Sequence, residues 1–235
     1  MLPCVILSGG LATRLRPVTE TIPKALISIN GKPFIDHQLR LLRERGITDV
    51  VLCIGYLGEK IRDFAGDGSR YGLRLSYSFD GEKLLGTAGA IRRALHLLSD
   101  SFFVLYGDSY LECGYAAVAH AFQQSGKQAL MTIYRNEGHY DSSNVQSENG
   151  MIVRYDKRVK VPQMLHIDYG LGVFRKSVFE GIPEGEVRDL AQVYQELLSQ
   201  NELAAFEVPE RFYEIGSLGG IQDLEQHLAA QPQQT

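Results

Sequence analysis

Residues 4–17 read Cys-Val-Ile-Leu-Ser-Gly-Gly-Leu-Ala-Thr-Arg-Leu-Arg-Pro, and residues 22–26 read Ile-Pro-Lys-Ala-Leu. Cys4-Val5-Ile6-Leu7 is a short, continuously apolar run of the kind found in a parallel strand buried on both faces. Ser8-Gly9-Gly10 then lets the backbone turn sharply and present N–H groups to an anion. Arg14 adds a fork of donors that grips phosphate oxygens in pairs, and Lys24 adds a point charge on a mobile stem. A glycine turn, an arginine and a lysine just past an N-terminal strand is where an α/β fold holds phosphates. Leu7, Ser8, Gly9, Gly10, Arg14 and Lys24 are therefore the candidate nucleotide-binding residues, with Arg14 and Lys24 also candidates for catalysis.

Outward from this loop, apolar runs recur at Val50–Ile54, Leu73–Phe79, Phe102–Tyr106 and Ala129–Tyr134. Segments of helical periodicity separate them at Phe34–Arg45, Thr87–Leu97 and Tyr115–Gln124. Such alternation predicts an α/β fold with a doubly wound, mainly parallel sheet. Ligands of these sheets lie outside the carboxyl ends of the strands, so Gly9-Gly10 and the later Gly107-Asp108 are expected to face one cleft. Asp108, emerging where an apolar strand ends, points a hard carboxylate oxygen toward the phosphates and is the first candidate for Mg²⁺.

From Asn136 the texture changes. Gly138, Ser142, Ser143, Asn149 and Gly150 punctuate short strand candidates at Val145–Gln146, Met151–Tyr155 and Ile167–Phe174, which reads as a small β-rich lobe inserted for the acceptor. Helical periodicity returns at Leu190–Gln200 and Ile221–Leu228, and the glutamine-rich end from Gln231 reads as a frayed tail. The expectation is one domain over 1–235, with a nucleotide-binding part (1–135) and an acceptor lobe with a closing segment (136–235).

A chain of 235 residues with 44% hydrophobic and 22% charged content is an ordinary globular composition. Its net charge of −4 argues against a nucleic-acid surface, which needs clustered Lys and Arg. No apolar stretch approaches the ~20 residues of a membrane helix, and no signal peptide precedes the first strand, so a cytoplasmic protein without a membrane partner is expected. Cys4, Cys53 and Cys113 show no C-x-x-C spacing and read as reduced and structural. The six histidines show no zinc spacing. Monomer and homo-oligomer stay equally open.

Taken together, Gly9-Gly10-Leu11-Ala12-Thr13-Arg14-Leu15-Arg16-Pro17 followed by Pro23-Lys24 resembles the signature of the sugar-1-phosphate nucleotidylyltransferases, G-G-x-G-T-R-L-x-P and then P-K. The resemblance is to the short type, similar to heptose- and hexose-1-phosphate enzymes. Ala12 stands where the family carries glycine, so a positive φ there would strain it. In that family the G-D at Gly107-Asp108 carries a metal ligand. A second metal carboxylate falls on Glu214 of Phe212-Tyr213-Glu214-Ile215-Gly216-Ser217, where the family has aspartate. Leu85-Gly86-Thr87-Ala88-Gly89-Ala90 resembles the P-L-G-T-A-G-A run, which implies Gly86 close to a flat base and Thr87 capping its own helix. Asp80 and Glu82 are the two candidates for reading the base. Asp156-Lys157 resembles a Glu-Lys pair in which the lysine meets the sugar phosphate and the acid the sugar hydroxyls. Asp168 of Ile167-Asp168-Tyr169-Gly170 replaces the asparagine that lines the sugar pocket.

The resemblance implies Mg²⁺-dependent transfer of a nucleotidyl group from a nucleoside triphosphate to a sugar 1-phosphate, releasing pyrophosphate. Arg14 would then neutralise the leaving pyrophosphate, Lys24 the α-phosphate and Lys157 the acceptor phosphate. Three other readings stay open on the sequence. A choline-phosphate-type cytidylyltransferase would use Tyr140, Tyr155 and Tyr169 as an aromatic cage. A metal-dependent glycosyltransferase normally pairs two acids around one residue, and Asp108-Ser109-Tyr110 lacks the second. A non-catalytic nucleotide sensor finds support only in Ala12 and Glu214.

Overall fold

In the strands that decide this fold, successive side chains feed two different cores. Cys4 and Ile6 point to one face of the sheet and Val5 to the other; Val50, Leu52 and Ile54 alternate with Val51 and Cys53; Phe103 and Leu105 alternate with Phe102 and Val104. A strand covered on both faces must be apolar at every position, which explains the unbroken runs. The computed structural model describes residues 1–231, so the expected tail lies, past Gln231, outside the described residues.

Among the described residues nine strands form one sheet. In chain order they are β1 (Cys4–Ser8), β2 (Asp49–Ile54), β3 (Arg74–Phe79), β4 (Ser101–Tyr106), β5 (Ala129–Arg135), β6 (Val145–Glu148), β7 (Met151–Tyr155), β8 (His166–Arg175) and β9 (Leu203–Glu207). Neighbours follow β7-β6-β8-β4-β1-β2-β3, with β5 joining β8 to β9. The half bearing the glycine loop is parallel: β4, β1, β2 and β3 pair in one direction. Helices α1 (Phe34–Glu44), α2 (Gly58–Ala65) and α4 (Tyr115–Ser125) cover one face. The other is covered by α3 (Gly86–Ala94), α5 (Ser177–Glu180) and α6 (Leu190–Ser199).

The segment expected as an inserted lobe is continuous with the sheet. Strand β8 runs antiparallel beside β4, with Leu171 opposite Leu105, and it is buried along its length because Leu171 and Val173 fill one core and Phe174 the other. Helix α2 and strand β9 escape the sequence reading. Helix α2 buries only Gly58, Ile61 and Ala65, and Leu-Ala-Ala-Phe-Glu of β9 lacks the β-branched residues that mark a strand.

A third, smaller core finishes the molecule. Ile29, Phe34, Leu41, Tyr110, Ile215 and Leu224 pack together. This core docks the last helix, α7 (Leu218–Ala230), and closes a two-stranded ribbon in which Glu214 lies opposite Ser109. All three cysteines are free and buried, and burial pushes their thiols up, that of Cys113 to about 12, which makes them inert packing residues. No helix of the described residues is long and apolar enough to cross a membrane.

Candidate active site

The strand ends create the cleft. Gly107 N–H donates to the Leu7 carbonyl at 3.0 Å, and a Cβ on Gly107 would strike Leu7 O and Ser8 Oγ. Only glycine lets the end of β4 lie against the end of β1, and that contact sets Asp108 beside the glycine loop. A cavity of about 280 Å³ opens there, bounded by Gly9, Gly10, Lys24, Gly86, Tyr106 and Asp108 among others. The hydroxyl of Ser8, buried on its wall, has no partner among the described residues.

Lys24 donates to Asp108 Oδ2 at 2.7 Å, with side chains 17% and 34% exposed. Two residues 84 positions apart are thus paired at the mouth of the cleft. Gly216 completes the cluster: a Cβ there would lie 2.5 Å from Glu214 Oε2, 3.0 Å from Arg14 Nη2 and 3.3 Å from Lys24 Nζ. Arg14, Lys24 and Glu214 therefore crowd one glycine, and Lys24 joins them to Asp108. Sequence reasoning did not single out Gly216, although it follows Glu214 by two positions.

Glu214 is held by its own segment. One carboxylate oxygen accepts from Gly216 N–H, and the other from Ser217 Oγ at 2.7 Å. Ser217 in turn caps α7 by accepting from Gly220 N–H at 3.0 Å. Glu214 borders a second, smaller cavity beside Arg211 and Tyr213, while Asp108 borders the main cleft. No cluster of three or more His, Cys, Asp or Glu side chains among the described residues forms a metal cage. Magnesium keeps several waters and takes one or two carboxylates plus substrate phosphates, so a single half-buried carboxylate bordering a cleft with a glycine loop is a donor set that suits it.

At the other end of the cleft the two base-reading candidates separate. Glu82 is exposed, whereas Asp80 is 5% exposed and lines the cavity. Asp80 Oδ2 accepts from Leu85 N–H at 3.2 Å and lies 3.3 Å from where a Cβ of Gly9 or Gly55 would sit. Burial pushes its carboxyl above the usual carboxylate range.

Gly86 lines the cleft, but its backbone has a second reason to be glycine. Its φ is +72°, and a Cβ would sit 2.6 Å from the Arg188 carbonyl oxygen. That carbonyl accepts from Ala88 N–H at 2.9 Å, and Arg188 N–H donates to Leu85 O at 2.9 Å. Thr87 does not cap its own helix. Its Oγ1 accepts from Leu190 N–H at 2.7 Å, 103 residues away, and so satisfies the first N–H of α6 beside that helix's own cap, Asp189; tertiary packing overrides the local expectation. Ala12 does adopt the left-handed conformation, with φ 47°.

On the acceptor side, Lys157 donates to Tyr106 Oη at 3.2 Å, and its Nζ stands 4.8 Å from the centre of that ring. Asp156 Oδ1 closes its own turn by accepting from Arg158 and Val159 N–H, which hold its carboxyl below the usual range. Asp168 accepts from Tyr106 Oη at 3.0 Å, from Tyr155 Oη at 3.2 Å and from Gly170 N–H at 3.1 Å. The tyrosines do not form an open cage: Tyr155 and Tyr169 are buried, and Tyr140 stacks on the Arg211 guanidinium at 3.8 Å.

The sequence pattern described as nucleotidyl transferase matches residues 4–211. An N-acetylmuramate alpha-1-phosphate uridylyltransferase from Neisseria meningitidis is 31% identical over 221 residues, spanning 91% of this chain and 93% of that protein. A UTP–glucose-1-phosphate uridylyltransferase from Synechocystis is 31% identical over an alignment of 202 positions that covers 79% of this chain and 52% of that protein. The chain thus spans about half the length of the Synechocystis relative and nearly all of the Neisseria one. Among solved structures, HddC from Yersinia pseudotuberculosis superposes with a TM-score of 0.82 at 22% identity, covering 97% of this chain and all of that one, which supports the fold alone.

Proposed function

The chain belongs to the nucleotidyl transferase family, and from that membership we propose that it transfers a nucleotidyl group from a nucleoside triphosphate to a sugar 1-phosphate. An oxygen of the acceptor phosphate attacks the α-phosphorus. The bond from that phosphorus to the bridging oxygen breaks, and pyrophosphate leaves with the electron pair. The acceptor is already ionised, so no general base is needed, and catalysis is positioning and charge neutralisation. The observation that carries this reading is that Lys24 pairs with Asp108 in the wall of the glycine-lined cleft while it also stands with Arg14 and Glu214 against Gly216.

In this reading Arg14 meets the leaving pyrophosphate, Lys24 the α-phosphate and Lys157 the acceptor phosphate. Leu7, Ser8, Gly9 and Gly10 turn the backbone around the triphosphate, and Gly86 and Thr87 bound the base. Asp80 offers the base edge only acceptor lone pairs and so favours a base presenting an N–H there. Asp108 holds Mg²⁺, with Glu214 beside it at the α7 N-terminus, and the ion when bound screens the approach of two anions.

Pyrophosphate release from a matrix of nucleoside triphosphates and sugar 1-phosphates, with and without Mg²⁺, tests the proposal. Release is expected only when all three components are present, and Asp108→Asn is expected to lower turnover by roughly 10²-fold, as loss of one charge-stabilising group does. Consumption of a nucleotide sugar with transfer of its sugar would replace this reading with a glycosyltransferase. Near-normal turnover in a folded Asp108→Asn protein would remove Asp108 from the metal site.

A further inference from the structure

Asp168 lies on β8 at an irregular point in its pairing with β5, where the register shifts between Asp168 and Gly172. Gly170, with φ +100°, turns its N–H back onto Asp168 Oδ1. The absence of a side chain on Gly170 also admits the Tyr106 ring, whose Cδ2 would lie 3.3 Å from a Cβ there. Oδ2 then takes the hydroxyls of both Tyr106 and Tyr155. Three protein donors are thus committed to one carboxylate.

The polarity of this chain of bonds is fixed by chemistry. An ionised carboxylate only accepts and an ammonium only donates, so Tyr106 Oη gives its proton to Asp168 and receives one from Lys157. Lys157 is exposed and sits on a turn, where its four-carbon stem would otherwise sample many rotamers. The Tyr106 hydroxyl and ring face together fix where its charge stands. Tyr106 is also the residue immediately before Gly107-Asp108 and part of the cleft wall, so the lysine is referenced to the strand that carries Asp108.

We propose that Tyr106 and Asp168 are positioning residues that hold the Lys157 ammonium for the acceptor phosphate, and that Asp168 acts through Tyr106 and does not touch the acceptor sugar. The proposal rests on the transferase reading above, in which Lys157 meets that phosphate.

The test uses the full chain with Tyr106→Phe, Asp168→Asn and Lys157→Ala, alone and in pairs. Tyr106→Phe and Asp168→Asn are each expected to raise KM for the sugar phosphate about tenfold, as loss of a hydrogen bond in a charged chain does. KM for the triphosphate should stay within about twofold, and neither substitution should add to Lys157→Ala if the effect passes through the lysine. A Tyr106→Phe effect that persists undiminished in the Lys157→Ala background overturns the proposal. So does an Asp168→Asn protein whose preference among acceptor sugars changes while Tyr106→Phe leaves it alone, since that pattern is direct contact. A readout independent of turnover is the rate at which acetic anhydride labels Lys157, followed by mass spectrometry. Faster labelling in both variants supports positioning even if no sugar phosphate proves to be a substrate, and unchanged labelling refutes it.

Discussion

Replacing Gly216 with alanine is the sharpest perturbation of the charged cluster. The added Cβ would stand 2.5 Å from Glu214 Oε2 and 3.0 Å from Arg14 Nη2, where ordinary contact begins at 3.4 Å, and 3.3 Å from Lys24 Nζ. Glu214 must retreat by close to an ångström, Arg14 by less than half that and Lys24 hardly at all. All three atoms are the far ends of flexible side chains, so the fold should absorb the change within about 1 kcal/mol. Catalysis should not. A misplacement of about 1 Å costs roughly 10²-fold in rate, or about 2.7 kcal/mol at the transition state. Pyrophosphate release at saturating substrates measures the loss, and a thermal melt reports the fold. A Gly216→Ala protein with a parental melt and turnover within about twofold of the parent would refute the claim that this glycine sets the geometry of Arg14, Lys24 and Glu214.

Asp80→Asn should raise the melting temperature at pH 7. The folded state holds the Asp80 carboxyl above its ordinary value through burial, so the fold loses stability as pH rises from the ordinary value to the raised one and carries the full cost above it; the gain should shrink as pH falls through that window, and a constant gain would refute burial as the cause. The same variant should alter the preference among nucleoside triphosphates in a competition assay. Gly86→Ala should lower stability by about 2 kcal/mol or more in urea unfolding, because a left-handed conformation and contact with the Arg188 backbone act together. Ala12→Val should lose about 1 kcal/mol or more in the same assay, whereas Ala12→Gly should lie near the parent, since relief of strain at φ 47° is offset by greater freedom of the unfolded chain.

The parallel half of the fold is legible because each strand feeds two cores and must be apolar throughout, and because helices such as Phe34–Glu44 are amphipathic. That Gly9-Gly10 and Gly107-Asp108 border one cleft follows from the strand ends of such a sheet. What sequence could not reveal is bonding across long separations. Thr87 looks like a local cap and instead accepts from the first N–H of α6, and Gly86 looks like a residue opened for a ligand and is also opened for the Arg188 backbone. Asp168 reads as a group for sugar hydroxyls, and nothing in its local sequence shows that it accepts from Tyr106 and Tyr155 as well. An aromatic residue directly before Gly107-Asp108 was the one available hint of that arrangement.

Arg188 clasps Gly86 and Ala88, and Gly216 stands against Arg14 and Lys24, so residues that line the cleft are braced from behind by the last third of the chain. A fragment ending at residue 135 contains every residue that lines the main cleft, the glycine loop, Lys24, Asp80 and Asp108 among them, yet it lacks the Arg188 backbone that clasps Gly86 and the segment that packs against Arg14 and Lys24. During synthesis the lining of the cleft therefore emerges before the segments that brace it. The walls of the cleft come from the first half of the chain, and the braces behind Gly86 and beside Lys24 arrive only with Arg188 and the turn into α7.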